Sequence, residues 1–299
     1  MPDTPAASIA TPFVARPVPR AHRHALLAPL DPGRHVPTAQ RPVRAKHRRL
    51  EPDTQILPHS HPWAQVAISI SGVARITAGH ATYLVPAWRA VWIPPDVEHV
   101  VTVVEATQLR TLYVHQGSGN VGPGVPLQAQ HTWRSCRVLE VSALLRELVL
   151  QMDTAMDGTP APVDEALARE RRLGDLVLDE LRRAAPVRLG IELPQDKRLR
   201  ALCEAVLADP SRHATLEGWA GESAASTRTV ARLFRQQLGT SFGPWRQQVL
   251  LARALTLAAQ GKPMGLIASQ LGYASASAFT AMVRRAVGQP PSRFFAAAP

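Results

Sequence analysis

Two stretches near the C-terminus are written to one plan, and no other feature restricts the fold as much. Residues 215–241, "TLEGWAGESAASTRTVARLFRQQLGTS", read as helix, turn, helix and a glycine stop at Gly239. Residues 263–290, "PMGLIASQLGYASASAFTAMVRRAVGQP", repeat the pattern: Trp219-Ala220 corresponds to Ile267-Ala268, and Phe234…Gly239 to Val283…Gly288. The second turn is one residue longer. In the first unit Val230, Leu233, Phe234 and Leu238 form one apolar stripe at helical spacing, with Arg228, Ala231, Arg232 and Arg235 opposite. In the second, Phe279, Met282, Val283 and Ala286 form the stripe, leaving Ser277, Thr280, Ala281 and Arg284 outward. Ser226 stands where an N-cap oxygen would meet free amides. Between the units, residues 244–260 predict one connecting helix about 25 Å long at 1.5 Å per residue. That length suits two helices in successive major-groove segments, roughly 34 Å apart.

The charge distribution agrees. The net +11 is uneven: residues 196–299 carry +8, residues 1–49 +7 and the middle −4. A basic module of about 100 residues is the electrostatic footprint of a nucleic-acid binder. The basic, Pro-rich residues 1–42 read as a disordered tail that adds attraction to phosphates without sequence information.

From residue 43 the pattern changes to short β-rich runs ("AQVAISISG", "VARITA", "HATYLVP", "AVWIPP", "QLRTLYVHQ") punctuated by Gly, Pro and Asp, as in a sandwich or barrel. Residues 138–189 turn helical. Leu144, Leu145, Leu148 and Val149 recur at one spacing, as do Leu173, Leu176, Val177 and Leu181, with a helix start at Asp164. Their apolar faces must meet the barrel, each other or a second subunit. Residues 189–196 are the linker. The expected class is therefore α+β, with a tail at 1–42, a sensor barrel at 43–130, a helical linker or dimerisation region at 131–195 and an all-α reader at 196–299.

No run of 18 or more apolar residues predicts a membrane span, and the first residues lack a signal-peptide pattern. Two cysteines, Cys136 and Cys203, exclude a disulfide framework and fit a cytoplasmic location.

Residues 197–295 resemble the AraC/XylS family of bacterial transcription regulators. "VARLFRQQLGTSF", "RALTLAAQG" and "IASQLGYASASAFTAMVRRAVGQPPSRF" carry the resemblance. It implies a double helix-turn-helix domain on double-stranded DNA, homodimerisation, RNA polymerase as a further partner, and an effector-responsive N-terminal domain. Ser226, Thr227, Arg228, Thr229, Arg232, Arg235, Ser277, Thr280 and Arg284 are the candidate DNA-binding residues. Arg228 and Arg232 can each fork onto a guanine edge, while Thr227, Thr229, Arg235 and Arg284 suit phosphates. Relative to the family, Val283 replaces a usual Phe and Ala281 a frequent base-contacting Arg. The first unit is therefore expected to carry more of the specificity.

The pattern His59-x-His61-x3-Gln65-x6-Gly72, with His99 following "WIPPDVE", resembles the two cupin motifs. His59 and His61, two apart on a strand, share a face; Gln65 and a returning His99 can converge on them. Gln stands where metal-bearing cupins usually have Glu, yet three imidazoles and an amide oxygen still suit Zn, Ni, Fe or Mn, so a divalent transition metal is the candidate cofactor. Three readings remain open: a metal-bearing sensor pocket, a metal-free pocket for an organic effector, and a vestigial site. Trp63, Tyr83, Trp88 and Trp92 are candidate lining or core residues. The alternative to a regulator is a metal-dependent cupin oxygenase or isomerase with an accessory DNA-binding domain. Glu98 is its only nearby acid or base, and no nucleophile elbow or phosphate loop appears. The expected outcome is a regulator rather than an enzyme.

Overall fold

The computed structural model describes residues 24–295 apart from 80, 118, 159–163, 188–189, 223–225 and 289. It is a mixed α/β protein with a sheet-rich N-terminal domain and a helical C-terminal domain. Two long strands organise the sheet. Strand β4 (Ala64–Ala78) pairs with β6 (Arg89–Ile93) through its first half and with β5 (Ala81–Pro86) through its second. Strand β7 (His99–Val114) pairs along β4, and also with β3 (Thr54–His59) at one end and β2 (Val43–Leu50) at the other. Both long strands change partners in mid-course, so the sheet bends there into two layers.

Gly72 makes that bend. Its φ is +68°, and a Cβ there would lie 2.0 Å from the Ala106 carbonyl oxygen of the facing strand. Only glycine combines the left-handed backbone with so close an approach.

Strand β1 (Ala25–Leu27) runs parallel to β3, and His35 is buried. The expectation of a disordered tail through residue 42 is thus corrected from residue 24 onward; residues 1–23, including His22, lie outside the described residues. The expected boundary at 130 also moves. Residues 137–140 form β8, which pairs with β6, and β9 (Pro186–Val187) pairs with β8. Gly190–Glu192, inside the expected linker, form β10 on β5. The region at 131–195 is therefore helical only in part, because its flanks find hydrogen-bond partners on open strand edges.

Helices α1 (Ala143–Gln151) and α2 (Asp164–Arg183) cover one outer face of the sheet. Leu145, Leu148, Val149, Val177 and Leu181 pack there with Val43, Val66, Ile68 and Trp92. Leu144 and Leu176, expected in those stripes, remain 52% and 48% exposed. An ion quartet, buried at Arg44 and Glu170 and partly exposed at Arg41 and Asp157, ties α2 to β2. Arg44 of β2 meets Glu170 at 2.7 Å and Asp157 at 2.9 Å, and Arg41 meets the same two carboxylates at 2.8 and 3.0 Å.

The helical domain is assembled around α6 (Phe242–Ala259), which begins two residues before the expected Pro244. Val249, Leu250, Leu251, Ala252, Ala254, Leu255 and Leu257 are all buried, so apolar contacts surround it almost completely. Against it lie α3 (Lys197–Ala208), the pair α4 (Leu216–Ala220) and α5 (Thr227–Leu238), the pair α7 (Met264–Gln270) and α8 (Ala276–Val287), and α9 (Pro291–Phe295). Their apolar side chains continue into the core of the sheet domain. No helix among the described residues is long and apolar enough to cross a membrane.

Candidate functional site

The predicted imidazole cluster assembles at one end of the sheet, although not wholly as expected. His59 ends β3 and His99 opens β7, and these two residues are directly paired. His61 lies beyond the end of β3, in the turn before β4, rather than two along the same strand. Gln65 enters from β4. One ring nitrogen from each of His59, His61 and His99 lies within 4.8 Å of the others. His61, Gln65 and His99 are buried, the last 1% exposed, and His59 is half-buried.

Backbone carbonyls fix the proton positions. His59 Nδ1 donates to Leu57 O at 2.8 Å and His99 Nδ1 to Val97 O at 3.0 Å. A neutral ring has one N–H, so in both residues Nε2 keeps a free lone pair. His99 Nε2 is buried without a hydrogen-bond partner. His61 meets two oxygens, Trp63 O at 3.3 Å and Gln65 Oε1 at 2.9 Å, and a neutral ring satisfies only one of them. Burial, the largest cause, holds His61 down to about 4 and His99 to about 3, and lowers His59 as well; the neighbouring cationic groups act in the same direction. The rings are therefore neutral at pH 7, the form in which imidazole binds metal. Carbonyl bonds at Nδ1 and free Nε2 lone pairs on His59 and His99 fit a divalent ion.

Sequence reasoning missed two members of this site. Tyr113 of β7 is fully buried, with its ring 4.9 Å from that of His61. Lys46 of β2 donates a short hydrogen bond to Tyr113 Oη, and its Nζ lies 4.5 Å from the ring centre. Burial lowers Lys46 to about 8, with Arg48 adding to the shift. The register of β2 on β7 places Lys46 here, and no local motif encodes that register. Of the four aromatic candidates only Trp63 belongs to the cluster, stacked on His61 at 5.7 Å. Trp92 packs against Trp133, Trp88 lies under Arg146, and the Tyr83 ring abuts Gly190.

The second candidate surface is on the helical domain. Helices α5 and α8 have equal length, matching serine caps and matching glycine stops. Ser226 accepts from Thr229 N at 3.2 Å and Ser275 from Ala278 N at 3.1 Å; Gly239 and Gly288 close the helices with φ of +60° and +75°. Val230, Phe234 and Leu238 face inward, and Leu233 does so in part. Arg228, Arg232 and Arg235 are exposed, and Thr227 and Thr229 half-exposed at the helix start. Arg232 Nη1 donates to Gln236 Oε1 at 3.0 Å. In α8, Phe279, Met282 and Val283 are buried, whereas Ala286, expected in that stripe, is exposed and Val287 packs inward instead. Ser277, Ala281 and Arg284 are exposed and Thr280 half-exposed, and with Ala276 and Arg285 they line a shallow groove of about 570 Å³.

Comparison with known proteins addresses both regions. The AraC-like ligand binding domain matches residues 42–182, and a helix-turn-helix domain family matches residues 219–297. The HTH-type transcriptional regulator NimR of Escherichia coli is 30% identical over 238 residues, 80% of this chain and 81% of NimR. The HTH-type transcriptional regulator RipA of Corynebacterium glutamicum is 24% identical over 229 residues, 75% of this chain and 59% of RipA. Among solved structures, ToxT of Vibrio cholerae aligns over 86% of this chain and 98% of its own, at 13% identity and a TM-score of 0.36.

Proposed function

We propose, given that the chain belongs to the AraC family of transcriptional regulators, that it reads DNA with two helix-turn-helix units under the control of a ligand held in a cupin-type barrel. As a family member it is a transcriptional regulator with a ligand-binding domain and a DNA-binding helix-turn-helix domain. The finer reading rests on one observation: two identically capped twelve-residue helices, α5 and α8, each bury an apolar stripe and turn polar side chains outward.

Arg228 and Arg232 read bases from α5, with guanine O6 and N7 as the matching acceptors. Ser277 and Thr280 of α8 make weaker contacts, since Ala281 stands where α5 has Arg232. Arg235 and Arg284, with Thr227 and Thr229, hold phosphates and set the register. Ser226 caps the first reading helix and offers its amides to a phosphate. The exposed Leu144 and Leu176 supply an apolar seam for a second copy of the chain.

At the other end, His59, His61, Gln65 and His99 hold a divalent transition metal as effector or as part of the effector site. The buried, unpartnered Nε2 of His99 supports this reading over a vestigial site. The ion would supply a Lewis-acidic position for a ligand atom. Ligand binding controls transcription only through unequal affinity for two arrangements of the domains. The enzyme alternative finds less support: the named relatives are transcriptional regulators, and Glu98 is exposed.

The test compares operator-containing fragments with random DNA for wild type and Arg232→Ala. Wild type is expected to prefer specific fragments and the variant to lose most of that preference; no preference in wild type would sink the reading. Metal analysis of wild type and His59→Ala/His61→Ala tests the pocket, with equal content in both counting against it.

A further inference from the structure

We infer that the imidazole pocket takes a small molecule bearing a carboxylate, with the Lys46 ammonium as its counter-charge and the Trp63 indole N–H as a second donor. This rests on the reading of the pocket as the effector site, and it names what that site selects.

The argument is one of unmatched charge. Among the described residues no Asp or Glu stands with the three imidazoles, so a bound divalent ion would meet only neutral ligands. Lys46 adds a further positive group, tied to the cluster through Tyr113, whose ring meets both Lys46 and His61. A half-buried ammonium beside a cation site is costly unless an anion joins them. The described residues supply none, which leaves that role to the ligand.

The donors describe that anion. Trp63 Nε1 is buried with no hydrogen-bond partner, while its ring stacks on His61 and lies 5.5 Å from the Tyr113 ring. One cation and one neutral N–H match the two oxygens of a carboxylate. A phosphate, with three oxygens and greater charge, would leave acceptors unsatisfied. The aromatic faces of Trp63 and Tyr113 suit an organic body attached to the acid. Lys46, His59 and Trp63 are the half-buried members, whereas His61, Gln65, His99 and Tyr113 lie deeper.

Calorimetric titration of the full chain with benzoate, benzamide and zinc tests this. Benzoate is expected to bind wild type at least ten-fold more tightly than benzamide, its uncharged isostere. Lys46→Met should weaken benzoate about ten-fold or more, the range of a hydrogen bond to a charged group, without weakening zinc, since it removes a positive charge beside the cation site. Trp63→Phe keeps the ring, drops the N–H, and should weaken benzoate by a smaller factor; it replaces Lys46→Met should that variant fail to fold. Equal binding of acid and amide, undiminished benzoate affinity in both variants, or no benzoate binding to zinc-loaded wild type would each overturn the inference. Zinc that binds wild type but not His99→Ala, without benzoate binding, would overturn the inference alone and leave the metal reading intact. Failure of both ligands would remove the pocket as an effector site.

Discussion

Single residues carry the sharpest consequences. His61 and His99 are held at about 4 and about 3, below the ordinary value near 6.5 of an unfolded chain. Between those limits the unfolded state binds more protons, so stability is full above pH 6.5 and falls as the pH drops toward 4. The unfolding free energy from urea titration is expected to be lower at pH 5 than at pH 7.5, by an amount on the order of 1 kcal/mol or more. Zinc should raise the midpoint at pH 7.5, since it binds the neutral rings. A second prediction concerns Glu170, whose carboxylate faces both Arg41 and Arg44. Glu170→Ala leaves the buried Arg44 without its nearer partner and should cost about 3–5 kcal/mol by denaturant titration. Nothing in "ALARERRLGD" distinguishes Glu170 from its solvated neighbours; only the position of β2 against α2 does. Gly72 was legible as part of a motif, but its reason, the Ala106 carbonyl 2.0 Å from a would-be Cβ, belongs to the facing strand.

Elements show where local pattern suffices. The repeat predicted α5 and α8, the Ser226 cap and both glycine stops, because helix periodicity, serine caps and left-handed glycines are all read within a dozen residues. Ser226→Ala should therefore cost about 1 kcal/mol of stability, checked by thermal unfolding, and weaken DNA binding through a frayed helix start. On the same helix, Arg232→Ala is expected to lose about 1–3 kcal/mol on the preferred fragment and much less on random DNA. Arg284→Ala should weaken both fragments alike and flatten the salt dependence by about one ion. Fluorescence anisotropy at several salt concentrations separates the two effects. The strands were less legible. Residues 64–78 read as two runs because Gly72 resembles a break, yet they form one bent strand. Residues 137–140 and 186–192 are short strands completed by partners distant in sequence.

At the scale of the molecule, the strand that carries His99 and Tyr113 also touches α6 of the helical domain. Glu105 lies midway along β7, the strand that begins with His99 and ends beside Tyr113. Its carboxylate meets Arg253 at 3.4 Å and accepts a short hydrogen bond from Gln260, both on or next to α6 between the two helix pairs. Trp245 of α6 donates to Glu192 O of β10 at 2.8 Å. The Glu105 pair is partly exposed and contributes at most about 1 kcal/mol to stability. Glu105→Ala should thus leave the unfolding midpoint nearly unchanged while bringing the DNA affinities measured with and without zinc closer together. Unaltered coupling in that variant would remove Glu105 from the path. The sequence by itself determined helices α5 and α8, the basic balance of their domain, most of the buried stripes and the imidazoles, because each is written in neighbouring residues of one chain segment; Leu144, Leu176 and Ala286, expected in those stripes, are exposed. Only the tertiary structure decided that Lys46 and Tyr113 join those imidazoles, that the linker flanks complete the sheet, and that β7 touches α6. Strand register and domain packing join residues far apart in sequence, where periodicity carries no information.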